Sequence, residues 1–295
     1  MTGRYLVARA GEADPVVPGP FAAHSVGLRR WAVVGEAAAA HTGFGICTLE
    51  AGGRLDAHVH SFEVSVFVLE GTLALDTGEG SVRLGPGDYG YVPVGVAHAV
   101  RNPGPGPARW ADMLAPQPRA RFGGDTFFVP PLSAGDPVAV DVRDPRTRSF
   151  GHIDPANMDA ARQTQDQLAV SASMRTALLV YSGITVKMMV DSDLGAQLQT
   201  MFMVQYEPGG RAGTHDHPLE ETYLVLEGEV DASFDGDTFR LGPGDVAWAG
   251  VGCVHGFSNP ADRPVRWLET QAPQPPARHS YRFTRDWDYL RDALV

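Results

Sequence analysis

Residues 209–228 read GGRAGTHDHPLEETYLVLEG. His215 and His217 stand at i and i+2, Glu221 follows, and Thr222-Tyr-Leu-Val-Leu226 is β-rich ahead of the Glu-Gly pair at 227–228. Side chains alternate faces along a strand, so both imidazoles project to one side. By the same period of two, Tyr223 and Val225 share the face of Glu221 and are candidate pocket residues. His255, on a later predicted strand, would bring a third ring to the cluster. Three neutral imidazoles and a carboxylate suit a borderline divalent ion such as Fe, Mn, Zn, Ni or Co. Such a set leaves two positions of an octahedral ion open for a substrate or O₂. Glu221 is then also the candidate catalytic group, as a carboxylate able to carry a proton.

Working outward, the same pattern occurs twice. Shifting the sequence by 157 positions, the distance from His58 to His215, superimposes His58-Val-His60 on His215-Asp-His217. Leu-Glu-Gly at 69–71 then meets 226–228, Arg-Leu-Gly-Pro-Gly-Asp at 83–88 meets 240–245, and Gly95, His98 and Asn102 meet Gly252, His255 and Asn259. Ala-Pro-Gln-Pro at 115–118 recurs at 272–275. A period this long makes each copy a domain and not a solenoid turn. Short β-rich runs broken by Gly and Pro turns predict an all-β fold of two tandem barrels with a few short helices. The expected division is 1–150 and 151–295. Helix is expected over Ala156 to about Leu168 and again over about 284–294.

The copies differ at one ligand. His58, His60 and His98 are present in the first, but Val64 stands where the second has Glu221, and the neighbouring Glu63 aligns with Glu220. One residue of slip turns a strand side chain to the opposite face, so Glu63 would reach the histidines only through a bulge. The first site is either a three-histidine metal site, giving a second metal, or a vestige.

Composition narrows the function classes. With 24 basic against 35 acidic residues the net charge is −11, which disfavours a nucleic-acid partner. No apolar run is long enough to span a membrane as a helix. The opening MTGRYLVARAGEADP lacks the pattern of a secretory leader, and two cysteines, Cys47 and Cys253, do not make a disulfide framework; a cytoplasmic location is expected. Cys253 is read as a small buried hydrophobe and not a nucleophile.

The two histidine-bearing stretches together resemble the cupin superfamily. Its first motif, HxH followed by Glu and a later Gly, matches His215 to Gly228. Its second, Gly-x₅-PxG-x₂-His-x₃-Asn, matches Gly87 to Asn102 completely; the second copy has Gly250 in place of the proline. The resemblance implies two tandem jelly-roll barrels, one divalent metal in the second, with iron favoured, and a small-molecule substrate. A homodimer is compatible with it. Bicupins similar to this chain include quercetinases and ring-cleaving aromatic dioxygenases, and three-histidine sites occur in cupin dioxygenases. The leading expectation is therefore a dioxygenase acting on a small aromatic or enolic compound. The alternatives are a non-oxidative hydrolase, aminohydrolase, isomerase or decarboxylase, and a non-catalytic binding protein of the storage type.

Overall fold

The structure, a computed structural model, describes residues 3–141, 143–159, 182–274 and 282–283. They form two compact units. One takes Ala13–Asp154 together with Met189–Gln199. The other, among the described residues, takes those up to Glu12, the run from Pro155 to Met188, and those from Thr200 on. The described residues up to Glu12 thus go with the later run of the chain, and Met189–Gln199 with the earlier one.

The first unit is built on β2 (Ser25–Val34), β3 (Gly43–His60), β4 (Glu63–Glu70), β5 (Leu73–Thr77), β6 (Gly80–Leu84), β7 (Asp88–Val92), β8 (His98–Arg101) and β9 (Ala108–Ala115), with short β10 (Thr126–Phe128), β11 (Val138–Ala139) and β12 (Phe150–His152). The second has β13 (Ser182–Val190), which begins in it, then β14 (Thr200–Asp216), β15 (Glu220–Glu227), β16 (Val230–Phe234), β17 (Asp237–Leu241), β18 (Val246–Ala249), β19 (His255–Ser258), β20 (Val265–Ala272) and β21 (Arg282–Phe283). It is joined by β1 (Tyr5–Ala8) from the start of the chain. The sheet orders β6-β5-β8-β3-β9-β4-β7 and β17-β16-β19-β14-β20-β15-β18 are the same order with every strand replaced by its repeat. The duplication read from residues is thus a duplication of barrels. At matching edges, β12 pairs with β7 in one copy and β1 pairs with β18 in the other.

The long strands bend because their two halves serve different partners. Residues 43–49 of β3 pair with β9, and residues from Arg54 on pair with β8. Alternation then buries one face of each strand, giving a separate apolar core in each unit, around Leu49, Val68, Leu84 and Trp110 in one and Tyr223, Phe234, Leu241 and Trp267 in the other. The repeated Leu-Glu-Gly has a steric cause. Gly71 and Gly228 have φ of 73° and 75°, and a Cβ there would sit 2.5 Å and 2.6 Å from the carbonyl oxygens of Pro107 and Pro264. No other residue fits either turn without displacing backbone.

The described helices are 3₁₀ turns of three to six residues. The helix expected from Ala156 is seen only as the turn Pro155–Met158; its continuation over 160–168, and the closing helix over 284–294, lie outside the described residues. No described helix is long and apolar enough to cross a membrane. Cys47 and Cys253 are free and buried, and burial pushes the Cys253 thiol up to about 12.

Candidate metal centres

In the first barrel β3 carries His58 and His60 and β8 carries His98, with His58 registered opposite His98. One ring nitrogen of each lies within 4.8 Å of the other two, and all three residues are buried. Each ring is fixed from behind. His58 Nδ1 lies 2.7 Å from the Asp56 carbonyl oxygen and His98 Nδ1 2.9 Å from that of Val96. His60 Nδ1 lies 3.1 Å from Thr126 Oγ1, whose own proton goes to the Gly124 carbonyl at 3.0 Å. A carbonyl only accepts, and a hydroxyl that has already donated can only accept, so each Nδ1 carries the hydrogen. The Nε2 lone pairs are left to the cluster, the tautomer a metal ligand needs. Burial first, and then the neighbouring rings, push His60 down to about 2 and His98 to about 3. Burial lowers His58 as well. The three imidazoles are neutral without any need to lose a proton to an incoming ion.

The second barrel repeats this device and adds a carboxylate. His215 and His217 on β14 and His255 on β19 form the matching buried triad. His215 Nδ1 donates to the Gly213 carbonyl (2.8 Å) and His255 Nδ1 to that of Cys253 (2.9 Å), the same i−2 contacts as His58 and His98; His217 donates to the Leu219 carbonyl (3.0 Å). Glu221 Oε2 lies 2.7 Å from His217 Nε2 and 3.3 Å from His255 Nε2, and its carboxylate also accepts from Tyr223 Oη and Gln271 Nε2. With Nδ1 already donating, a neutral His217 would set a lone pair against a carboxylate oxygen. A proton or a cation must lie between them. Burial opposes a charge on His217, but the Glu221 carboxylate raises it, and the same contact holds Glu221 well below the usual carboxylate range. His215, dominated by burial, falls to about 3. A divalent ion in place of that proton fits the donor set of the second barrel, and the three neutral imidazoles of the first fit one without any proton to displace.

Glu63 and Val64 resolve the question left by the sequence. β4 pairs with β9 in unbroken register through Glu63↔Ala115 and Val64↔Leu114. Without a bulge there, Val64 faces the histidines and Glu63 faces away, its Oε1 and Oε2 accepting the backbone N–H groups of Gln197 (2.8 Å) and Leu198 (3.0 Å). Around the histidines the first barrel has a cavity of about 210 Å³, whose walls include Val64, Val66, Val100, Leu114 and Trp110. At the repeat-related positions the second barrel has Glu221, Tyr223, Phe257, Gln271 and Trp267. There Tyr223 packs on Phe257 at 4.7 Å and Phe257 on Trp267 at 5.4 Å, with Phe234 6.3 Å from His255. Tyr223 and Val225, expected on the inner face, are inside and 1 % exposed, as members of this packed core.

Two further residues on the first cavity escaped the sequence reading. Arg30 on β2 meets Asp112 on β9 through Nε (2.9 Å) and Nη2 (2.7 Å). Their trace in the sequence is that the second copy has Lys187 and Glu269 at the repeat-related positions, while Gly45 of the first stands against Phe202.

The cupin domain profile matches residues 45–114 and 202–270. Among curated proteins, the polyketide synthase CurC of Streptomyces cyaneus is 31 % identical over 90 residues, 29 % of this chain and 58 % of that protein, so the match spans little more than half the length of that relative. Among solved structures, salicylate 1,2-dioxygenase of Pseudaminobacter salicylatoxidans superposes with a TM-score of 0.59 at 17 % identity, covering 79 % of this chain and 71 % of that one. Oxalate decarboxylase of Bacillus subtilis does so with 0.59 at 14 %, covering 98 % and 82 %. At these identities the likeness is one of fold. With two profile matches on two barrels of one strand order, the chain belongs to the cupin superfamily as a bicupin.

Proposed function

We propose that the chain is a metal-dependent bicupin enzyme of the oxygenase type, acting on a small organic molecule in its first barrel. One observation carries the reading: three neutral imidazoles converge on a cavity of about 210 Å³ at which Val64 replaces a carboxylate. A divalent ion bound there, iron in the first instance, supplies Lewis acidity and, if redox-active, electrons for O₂. The chain's own residues do the rest. The carbonyls of Asp56 and Val96 and the Thr126 hydroxyl hold the rings in the ligating tautomer, and Val64, Val66 and Val100 keep water from the site. With no carboxylate in the ligand set, the substrate's own anionic oxygen balances the charge.

In the second barrel His215, His217, Glu221 and His255 would hold a second ion, with Tyr223 and Gln271 orienting Glu221. One observation favours a non-oxidative reading there. The His217–Glu221 pair is a ready proton carrier, as a hydrolase, isomerase or decarboxylase requires.

Elemental analysis and O₂ uptake on wild type, His58→Ala and Glu221→Ala test both readings. The expected result is metal in wild type, with O₂ uptake on small phenolic or enolic compounds lost in His58→Ala and retained in Glu221→Ala. Uptake lost only in Glu221→Ala would move the reaction to the second barrel. Turnover without O₂ would favour the non-oxidative reading, and protein that takes up no metal would overturn the enzyme.

A further inference from the structure

Apart from the histidines and Thr126 beside His60, the wall of the first cavity is largely apolar, with one built polar spot. Arg30, Asp112 and Gln117 all line the cavity. The Arg30 guanidinium lies over Gly45, where a Cβ would come within 2.7 Å of its Cζ, so the glycine is the slot that admits it. Asp112 grips one edge of the guanidinium, and the Cys47 thiol donates to Asp112 Oδ2 at 3.2 Å. Gln117 donates Nε2 to the Pro118 carbonyl at 2.9 Å, while its Oε1 is buried over Gly43 with no hydrogen-bond partner.

Burying an ion pair in apolar surroundings is seldom a gain over hydrophobic packing, and an orphaned buried amide oxygen costs more still. At the repeat-related positions the second barrel has Lys187 and Glu269, with Phe202 in place of Gly45, so the glycine slot is particular to the first barrel. The pair carries no net charge, since the Asp112 carboxylate sits 2.7 Å from the guanidinium that it neutralises. The spot therefore offers donors on Arg30 and an acceptor on Gln117, but no excess positive charge to compensate a buried anion.

We propose that Arg30, Asp112 and Gln117 form a specificity subsite for an uncharged oxygen of the substrate, a hydroxyl or carbonyl, at the wall of the first cavity. This rests on the first barrel being the substrate chamber. A cavity of about 150 Å³ takes up one benzene ring, so about 210 Å³ has room for one ring or a short branched chain with small polar substituents. The substrate class is a ring-sized apolar molecule. Its anionic oxygen is directed to the histidine cluster, and an uncharged oxygen function is held by Arg30 and Gln117.

The test is calorimetric binding of phenol, toluene and benzoate to the full-length protein as purified, comparing wild type with Arg30→Met/Asp112→Leu and with Gln117→Leu. The double variant removes the pair as a unit and leaves no unpaired buried charge. Loss of a hydrogen bond to a charged group corresponds to about tenfold to a hundredfold in affinity. The expected result is phenol weakened at least about tenfold in the double variant and several-fold in Gln117→Leu, with toluene and benzoate unchanged. Unchanged phenol would overturn the subsite. Benzoate weakened as much as phenol would overturn its preference for an uncharged oxygen. Toluene lost from both variants would show that these groups hold the cavity open and do not serve a ligand. Metal content, read on the same samples, depends on His58, His60 and His98. A failure of this subsite with metal unchanged is thereby separate from a failure of the metal-centre reading.

Discussion

Glu63→Gln separates a metal ligand from a structural acceptor, because the two roles predict opposite results. In the structure the Glu63 carboxylate accepts one backbone N–H on each oxygen, from Gln197 at 2.8 Å and from Leu198 at 3.0 Å. Glutamine keeps one acceptor and turns an NH₂ group towards the other N–H, so one charge-assisted bond is lost and the second weakened. A hydrogen bond to a charged group contributes about 1.5–3 kcal/mol. For a domain of roughly 150 residues, at about 2–4 °C per kcal/mol, the melting transition of the first unit should fall by roughly 3–12 °C. Metal per chain should not change, whereas His58→Ala should remove the first-barrel share. Scanning calorimetry and elemental analysis on the same preparations read both quantities. Metal lost from Glu63→Gln with an unaltered melting transition would refute the placement of Val64, and not Glu63, at the histidines.

Three further outcomes follow from the geometry. Protein stripped of metal should lose stability as pH falls below about 6.5. His60, His98 and His215 are held neutral down to about 2–3 in the fold, so the unfolded chain binds more protons across that interval. The slope is up to about 1.4 kcal/mol per pH unit for each histidine, and denaturant titrations at pH 7 and 5.5 that coincide would contradict it. Metal binding to a His58→Ala variant, which retains the second site alone, should release protons, because the Glu221 charge raises His217 and favours its protonated form. The complementary His215→Ala variant should release almost none, and titration in buffers of different ionisation enthalpy distinguishes them. Val64→Glu should cost stability of the metal-free protein by about 1–3 kcal/mol, since the Tyr223 and Gln271 partners of Glu221 are Val66 and Leu114 here. Adding Leu114→Gln should recover part of that loss in the same unfolding assay.

The barrels, their strands and both histidine triads were legible because a repeated pattern of glycines and histidines encodes local geometry: turns at Gly71 and Gly228, and rings on one face of a strand. The side on which Glu63 points was not, since one residue of register is invisible unless the partner strand is known. The cavity at the first triad was also hidden, because aromatic or aliphatic residues on an inner face read as core in either case. Arg30 and Asp112 are 82 positions apart and meet only through strand order. The sequence reading placed the complete ligand set, and so the chemistry, in the second barrel. Among the described residues, aromatic rings pack around His255 in that barrel, and a cavity of about 210 Å³ opens at the histidines of the first.

The pairing of β1 with β18 has a consequence for anyone cutting the gene. Tyr5 lies opposite Ala249, and Arg4 reaches Asp235 through Nε at 2.9 Å. During synthesis β1 must wait for about 240 further residues before its partner exists, at about 5–20 residues per second. A deletion made at the repeat boundary would hand the first half a stray ribbon and leave the second half with an uncovered sheet edge, the kind that recruits a neighbouring molecule. A soluble second half calls for a permuted gene, in which the codons for the β1 segment are moved behind a short linker to rejoin the barrel it completes.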